Sequence, residues 1–297
     1  MSAVVAACVV LLAGMTMPTR AVSLMVGFPA FFYAIHSVYK TWRPDRRLSL
    51  LAGSQAVLFG ASCAGATLAN VGLRLRMPLQ DDLLAAIDKA LGINTAEIVL
   101  WFSRLPDVAE LLRIFYLSTV PAVFFCAIFF SLKRDGRKVW ELTLGYSGGL
   151  FLCSAISSLV PAKAIFFHAG FTSQEVAGLP AGAGLYHMGA FSYFRDGSNL
   201  VVDIDRFDGV VTFPSFHTMM ALVVAFAFRD YSRTSVVAYL WALLVIVSTI
   251  PIGGHYVVDL IAGTGLWAVI VLSALAWSRK SSFLCSDDEQ ASANRVV

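Results

Sequence analysis

Charge is what this sequence has least of. Only 14% of its 297 residues are Asp, Glu, Lys or Arg, against roughly 25% in soluble domains, which argues against a water-soluble fold of this length. Nor is there an excess of one sign: a formal charge of +3 without a basic stripe lacks the electrostatic footprint that nucleic acid demands. The five cysteines, Cys8, Cys63, Cys126, Cys153 and Cys285, form no Cys-x-x-Cys pair and four lie within apolar runs, so neither a zinc site nor a disulfide framework is expected. There is no internal repeat or low-complexity tract, and so no solenoid. No cofactor is expected.

What fills the chain is apolar: 58% of residues are hydrophobic, with a mean hydropathy of +0.74. These values predict an all-α integral membrane protein. A hydrocarbon core about 30 Å thick needs roughly 17–25 apolar residues per helix, and about eight spans follow, at 3–17, 20–39, 48–71, 109–131, 138–160, 214–231, 234–251 and 255–277. A secretory signal is the rival reading of the first, although no basic segment precedes "AVVAACVVLLAGM". The clusters "KTWRPDRR", "KRDGRK", "RDYSR" and Arg279-Lys280 all fall on one side of such a bundle, which makes that side cytoplasmic. The opposite face receives 72–108, the long loop 161–213 and the turn "PIGGH". Within 79–92, Leu83, Leu84, Ile87 and Leu91 are opposed by Asp82, Asp88 and Lys89, the pattern of an amphipathic helix at the interface ended by Gly92. The chain divides into an N-terminal pair with its basic loop (1–47), a catalytic domain (48–278) and a polar tail (279–297) expected to be disordered.

Two of the five histidines keep company that chemistry would choose. His217 lies in "FPSFHT" and His255 in "GGHYVVD", and the topology puts both at the outer ends of their spans. Pro214 is suited to the first position of a helix, whose free N–H groups and positive dipole end favour an anion. Gly253 and Gly254 permit close backbone approach. His255 and Asp259 are four apart and share a helical face, where the carboxylate can fix the imidazole tautomer and leave the other nitrogen as a nucleophile. An ionisable group in an apolar helix costs a few kcal/mol unless it is paired. Two chemistries fit two histidines and a carboxylate: phosphoryl transfer with His217 as the acid, or a metal site. Ser215, an oxyanion donor and a poor metal ligand, favours the first.

"PSFH" followed by "GGHYVVD" resembles the type 2 phosphatidic acid phosphatase superfamily, over roughly residues 48–277. The resemblance implies a six-helix core formed by the last six spans, with His217 as acid, His255 as nucleophile and Asp259 as its orienting carboxylate. The Lys-x6-Arg-Pro element of many members is missing, and the arginine six residues before the nucleophile is Thr249 here, although Ser248 matches. Both gaps resemble the branch of inositol phosphorylceramide synthase and sphingomyelin synthase, which implies transfer of a phospho-headgroup to a lipid alcohol as readily as hydrolysis. The phosphate then needs other partners: Ser215, Gly254, Arg206, Lys163 and Arg195 are the candidates, Arg206 first, with Arg113 behind them.

The expected partners are a phospholipid or other lipid phosphate and the membrane, without nucleic acid, at a plasma or inner membrane with the site on the extracytoplasmic face. A transporter with a His/Asp proton relay is the reading from a different class, though intramembrane charges are few. His36 is expected at the interface, and His168 and His187 as solvated loop residues, with His187 and Tyr186 alternatively lining a headgroup pocket. Tyr256 and Trp267 read as packing or interfacial residues.

Overall fold

In lipid every backbone N–H and C=O must be satisfied within the chain, so long apolar runs become helices. The computed structural model describes residues 2–273 and contains no strand among them, only one isolated bridge between Thr16 and Val201. The helices are α1 (Ser2–Leu12), α2 (Thr19–Ser37), α3 (Arg46–Gly72), α4 (Asp81–Ala90), α5 (Thr95–Ser103), α6 (Pro106–Leu132), α7 (Gly136–Leu159), α8 (Ile165–Ala169), α9 (Met188–Asp196), α10 (Phe216–Ala227), α11 (Ser232–Ser248) and α12 (Val257–Ser273). The protein is all-α and membrane-integral. Among the described residues five segments are long and apolar enough to cross a bilayer: Thr19–Trp42, Arg46–Leu75, Pro106–Leu132, Gly136–Leu159 and Ser232–Gly253. Their outward sides carry Phe31, Ile114, Phe125, Val237 and Leu240, all more than half exposed, as a lipid-facing surface requires.

Two of the eight expected spans are shorter than drawn: α1 has 11 residues and α10 has 12, about 18 Å at 1.5 Å per residue. The serine cap at its start accounts for two of the six residues lost from α10, and the other four, 228–231, form the turn into α11. The expected tail 279–297, with Arg279-Lys280 and the end of the last span, lies outside the described residues.

α3, α6, α7, α10 and α11 pack against one another around Leu58, Phe130, Leu142, Tyr146 and Met219, and α12 joins them through Trp267. At one end of this bundle three basic clusters meet. Asp230 pairs with Arg137 at 3.0 Å and Lys138 at 2.6 Å, Arg229 with Glu141 at 2.8 Å, and Gly136 lies beside the Arg46 guanidinium. At the other end the turn between α1 and α2 is stitched to the long loop, with Thr16 N donating to Leu200 O at 2.7 Å and Val202 N to Thr16 O at 2.9 Å.

One expectation is inverted. α4 is amphipathic, but its inward face is Asp81, Leu84 and Asp88, spaced along one side of the helix, with Leu84 and Asp88 each 2% exposed. Leu83 and Leu91 point outward. Asp88 is therefore a buried carboxylate and not part of a solvated face.

Candidate active site

The segment "FPSFHT" turns into α10 at Ser215, whose hydroxyl accepts from Thr218 N at 3.4 Å and Thr218 Oγ1 at 3.1 Å. Pro214 thus precedes the cap and is not the first helical residue, because the serine hydroxyl satisfies a first-turn N–H that the chain would otherwise leave open. Ser215 N donates to Asp259 O at 3.0 Å, which ties the start of α10 to α12. The approach is close: a Cβ on Gly263 of α12 would lie 2.5 Å from Ser215 O. Glycine is required there.

α11 ends in a π turn, Thr249–Gly253, and Gly254 at φ +77° redirects the chain into α12. The long loop is bonded onto this turn, Ile165 N to Gly254 O at 3.0 Å and Gly184 N to Ile252 O at 2.7 Å. His255 and Asp259 are then buried, at 2% and 0% exposure. His255 Nδ1 is 3.1 Å from Asp259 Oδ2, which also accepts from Tyr256 N at 2.9 Å. An ionised carboxylate only accepts, so Nδ1 carries the proton and Nε2 the lone pair. That Nε2 is 3.5 Å from Ser215 Oγ. Asp259 Oδ1 is buried without a hydrogen-bond partner among the described residues.

His217, half-buried in the first turn of α10, stacks on Tyr116 of α6 with ring centres 4.1 Å apart and planes 17° from parallel. Tyr116 also reaches the turn before His255: a Cβ on Gly253 would meet Tyr116 Cε2 and His255 Cδ2, each at 3.0 Å. Both histidines are thus gathered around one tyrosine edge. The Tyr116 hydroxyl bonds to that of Tyr186, whose ring is 5.5 Å from His187. His187 is no solvated loop residue. It is 2% exposed, its Nε2 lies 2.9 Å from Lys163 O, and burial holds its pKa below the ordinary imidazole value.

Two carboxylates from α4 hold this arrangement from outside. Asp88 accepts from Val257 N and Val258 N, both at 2.8 Å, and from Thr95 Oγ1, so it caps α12 from a distant part of the chain, where the helix dipole favours a negative charge. Asp81 accepts from Lys163 N, Ala164 N and Tyr256 Oη, each at 3.0 Å. Ala164 sits at φ +114°, a region that costs a side-chain-bearing residue about 1–3 kcal/mol, and the bond to Asp81 helps to hold it there. Sequence reasoning missed Asp81, Asp88 and Tyr116. The one available signal was that Asp81 and Asp88 are seven apart, two helical turns, on one face.

The nominated cations are elsewhere engaged. Arg206 pairs with Asp203 at 3.1 Å and lies 4.9 Å over the Tyr193 ring. Arg195 donates to Met77 O at 2.7 Å, the Lys163 ammonium lies 5.5 Å over Phe167, and Arg113 is paired with Glu110. Among the described residues no ion pair or hydrogen bond joins any of these head groups to His217, His255 or Asp259. His36 bonds to Ser49 O at 2.8 Å, pinning α2 to α3, and His168 faces Asp82 at 3.2 Å. Among the described residues no group of three or more His, Cys, Asp or Glu side chains is disposed to hold a metal ion.

The model of the PAP2 superfamily matches residues 82–275, well over half of the chain and the stretch from α4 to α12. No curated protein and no solved structure matches the chain.

Proposed function

The chain belongs to the PAP2 superfamily, the type 2 phosphatidic acid phosphatases, and from that premise we propose that it transfers a phospho-headgroup from a lipid donor to an alcohol through a phosphohistidine. Membership makes it an integral membrane protein of the lipid phosphatase and phosphotransferase type. The finer reading rests on one observation: His255 has Nδ1 on Asp259 and Nε2 turned toward the cap of α10, the helix that carries His217.

In the proposed first step Nε2 of His255 attacks phosphorus and the bond to the leaving oxygen breaks. His217 gives its proton to that oxygen, and Asp259 stabilises the positive charge growing on the imidazole. In the second step His217 takes the proton of the incoming hydroxyl, whose oxygen attacks phosphorus as the P–N bond breaks. The free N–H groups at the start of α10, the Ser215 hydroxyl and the close approach at Gly254 serve the phosphoryl oxygens. Arg206, Lys163 and Arg195 remain candidates only through movement of the loop that carries them. An imidazole pair without an adjacent cation suits a phosphodiester, with one negative charge, better than a monoester with about two, and this favours headgroup transfer over simple dephosphorylation. The site is proposed to open on the extracytoplasmic face, opposite the basic clusters.

The test is to incubate purified protein with labelled phosphatidylinositol, phosphatidate and isoprenoid diphosphate, with and without a lipid alcohol. Label moving from the diester to the alcohol is expected, and His217→Ala or His255→Ala should each reduce turnover by about 100-fold or more while leaving membrane insertion intact. Full activity in either variant removes the assignment. Release of free phosphate from phosphatidate or isoprenoid diphosphate, with the diester untouched, makes the protein a plain phosphatase. Activity lost to a chelator and restored by iron or zinc favours the metal site instead.

A further inference from the structure

At the end of the bundle that carries the long loop, a second cationic centre lies apart from the histidines. α3 ends in a short turn, Leu73–Leu75, and Arg76 follows in the left-handed region at φ +51°. Such a conformation costs a non-glycine residue roughly 1–2 kcal/mol, and it turns the guanidinium toward the end of α9. There Arg76 donates Nε to Arg195 O at 3.1 Å and Nη2 to Asp196 O. Arg74 donates Nη1 to Asn199 O at 2.7 Å. Arg195 completes the group from α9, with one terminal nitrogen on Met77 O and the other, Nη1, buried without a partner among the described residues.

The three arginines differ from the neighbours that pair with acids. Arg20, Arg113, Arg137, Arg206 and Arg229 each face a carboxylate. Among the described residues Arg74, Arg76 and Arg195 bond to backbone carbonyls and pair with no carboxylate, Arg195 lying also 5.9 Å over the Phe191 ring, so three positive charges converge without neutralisation. Burial, and then the charge of Arg76, hold the Arg195 pKa below the ordinary arginine value. Carbonyls at the end of α9 favour a cation through the helix dipole, but that satisfies one arginine and not three.

Beneath Arg74 and Arg76 is a cavity of about 580 Å³ that they line together with Leu12, Leu68, Val71 and Leu75. Its size falls in the roughly 300–1,000 Å³ range of small-molecule sites. Leu12 is 88% and Leu75 60% exposed, so the apolar wall continues onto the lipid-facing surface. A charged roof over an oily wall at a membrane boundary has the two halves of one ligand.

We propose that Arg74 and Arg76, backed by Arg195, bind the phosphate of an anionic phospholipid whose acyl chain lies in the cavity beside α1 and α3. The site is separate from the histidine centre and does not depend on the reaction assigned there. The lipid's negative charge neutralises the cluster, and its tail covers the seam between the N-terminal hairpin and the catalytic bundle.

The experiment measures binding of phosphatidylglycerol, phosphatidylcholine and inorganic phosphate to purified, delipidated full-length protein by native mass spectrometry and thermal shift. Saturable binding of phosphatidylglycerol is expected, with neither phosphatidylcholine nor inorganic phosphate matching it. Loss of one charged hydrogen bond at each arginine predicts about 100-fold weaker binding in Arg74→Gln/Arg76→Gln, with Arg74→Lys/Arg76→Lys holding the lipid better than the glutamine pair. His255→Ala should bind as the unaltered protein does, whether or not that histidine is a nucleophile. Equal binding by the glutamine pair, by phosphatidylcholine or by inorganic phosphate overturns the proposal, as does loss of binding in His255→Ala. Should the arginine variants not fold, Ala13→Phe, which fills the cavity wall, must weaken phosphatidylglycerol binding; an undiminished affinity there also overturns it.

Discussion

At the scale of single residues, the buried histidine of the long loop offers a test by pH. Burial lowers the pKa of His187, while its bond to Lys163 O and the nearby Asp81 pull the other way. Its folded pKa lies below the unfolded value of about 6.5, so the unfolded chain binds the proton first as pH falls. Its contribution to stability is complete above that value and is lost as pH drops toward the folded pKa. The melting temperature of purified protein should accordingly decline on acidification from about pH 7 to 5, and His187→Gln, which keeps a donor for Lys163 O but cannot titrate, should decline less. Parallel curves for the two proteins would mean that His187 does not titrate across this window. The residues of the proposed site obey the same logic of placement. His255 and Asp259 meet because they are four apart on a helix, whereas His217 is oriented by a ring from another helix, Tyr116.

At the scale of elements, α4 is the piece whose role differs most from its appearance. Asp81 and Asp88 lie with Leu84 on its inward face while Leu83 and Asp82 point outward, so an interfacial helix becomes the clamp for the start of α12. Asp88 supplies two N–H groups of α12 with their acceptors. Asp88→Asn keeps the shape but removes the charge and turns a donor toward those N–H groups. It should lower stability by about 1–3 kcal/mol, seen as a fall in melting temperature, and turnover should fall with it because the same turn carries His255. An unchanged melting temperature would show that α12 does not need this cap. The short α10 matters at this scale too. At about 18 Å it cannot reach across a core of about 30 Å. Its far end is anchored where Arg229 pairs with Glu141, and its start lies under the long loop, where Thr212 Oγ1 donates to Ala162 O at 3.0 Å.

At the scale of the whole molecule, the two ends of the bundle are chemically distinct. One gathers the basic clusters around Asp230 and Glu141; the other gathers α4, α5, the long loop and both histidine motifs. Single cysteines test this polarity directly. With the five native cysteines replaced, Lys133→Cys and Ser173→Cys should be labelled by an impermeant maleimide from opposite sides of sealed vesicles. Labelling of both from one side would break the arrangement.

The membrane class, the helical fold and the pairing of His255 with Asp259 were legible in the sequence, because each depends on composition or on neighbours within one or two helical turns. Ser215 before His217 belongs to the same kind, a local cap and its first turn. The reach of Asp88 to Val257, 169 residues away, was not legible, nor was the stacking of Tyr116 on His217, the burial of His187 or the joining of Arg74 and Arg76 to the end of α9. An acidic or basic residue on an amphipathic helix has the same local pattern whether it meets water or a distant N–H. Only the packing of helices far apart in the chain determines which of these it meets, and that packing is where the tertiary structure decided what the residues alone could not.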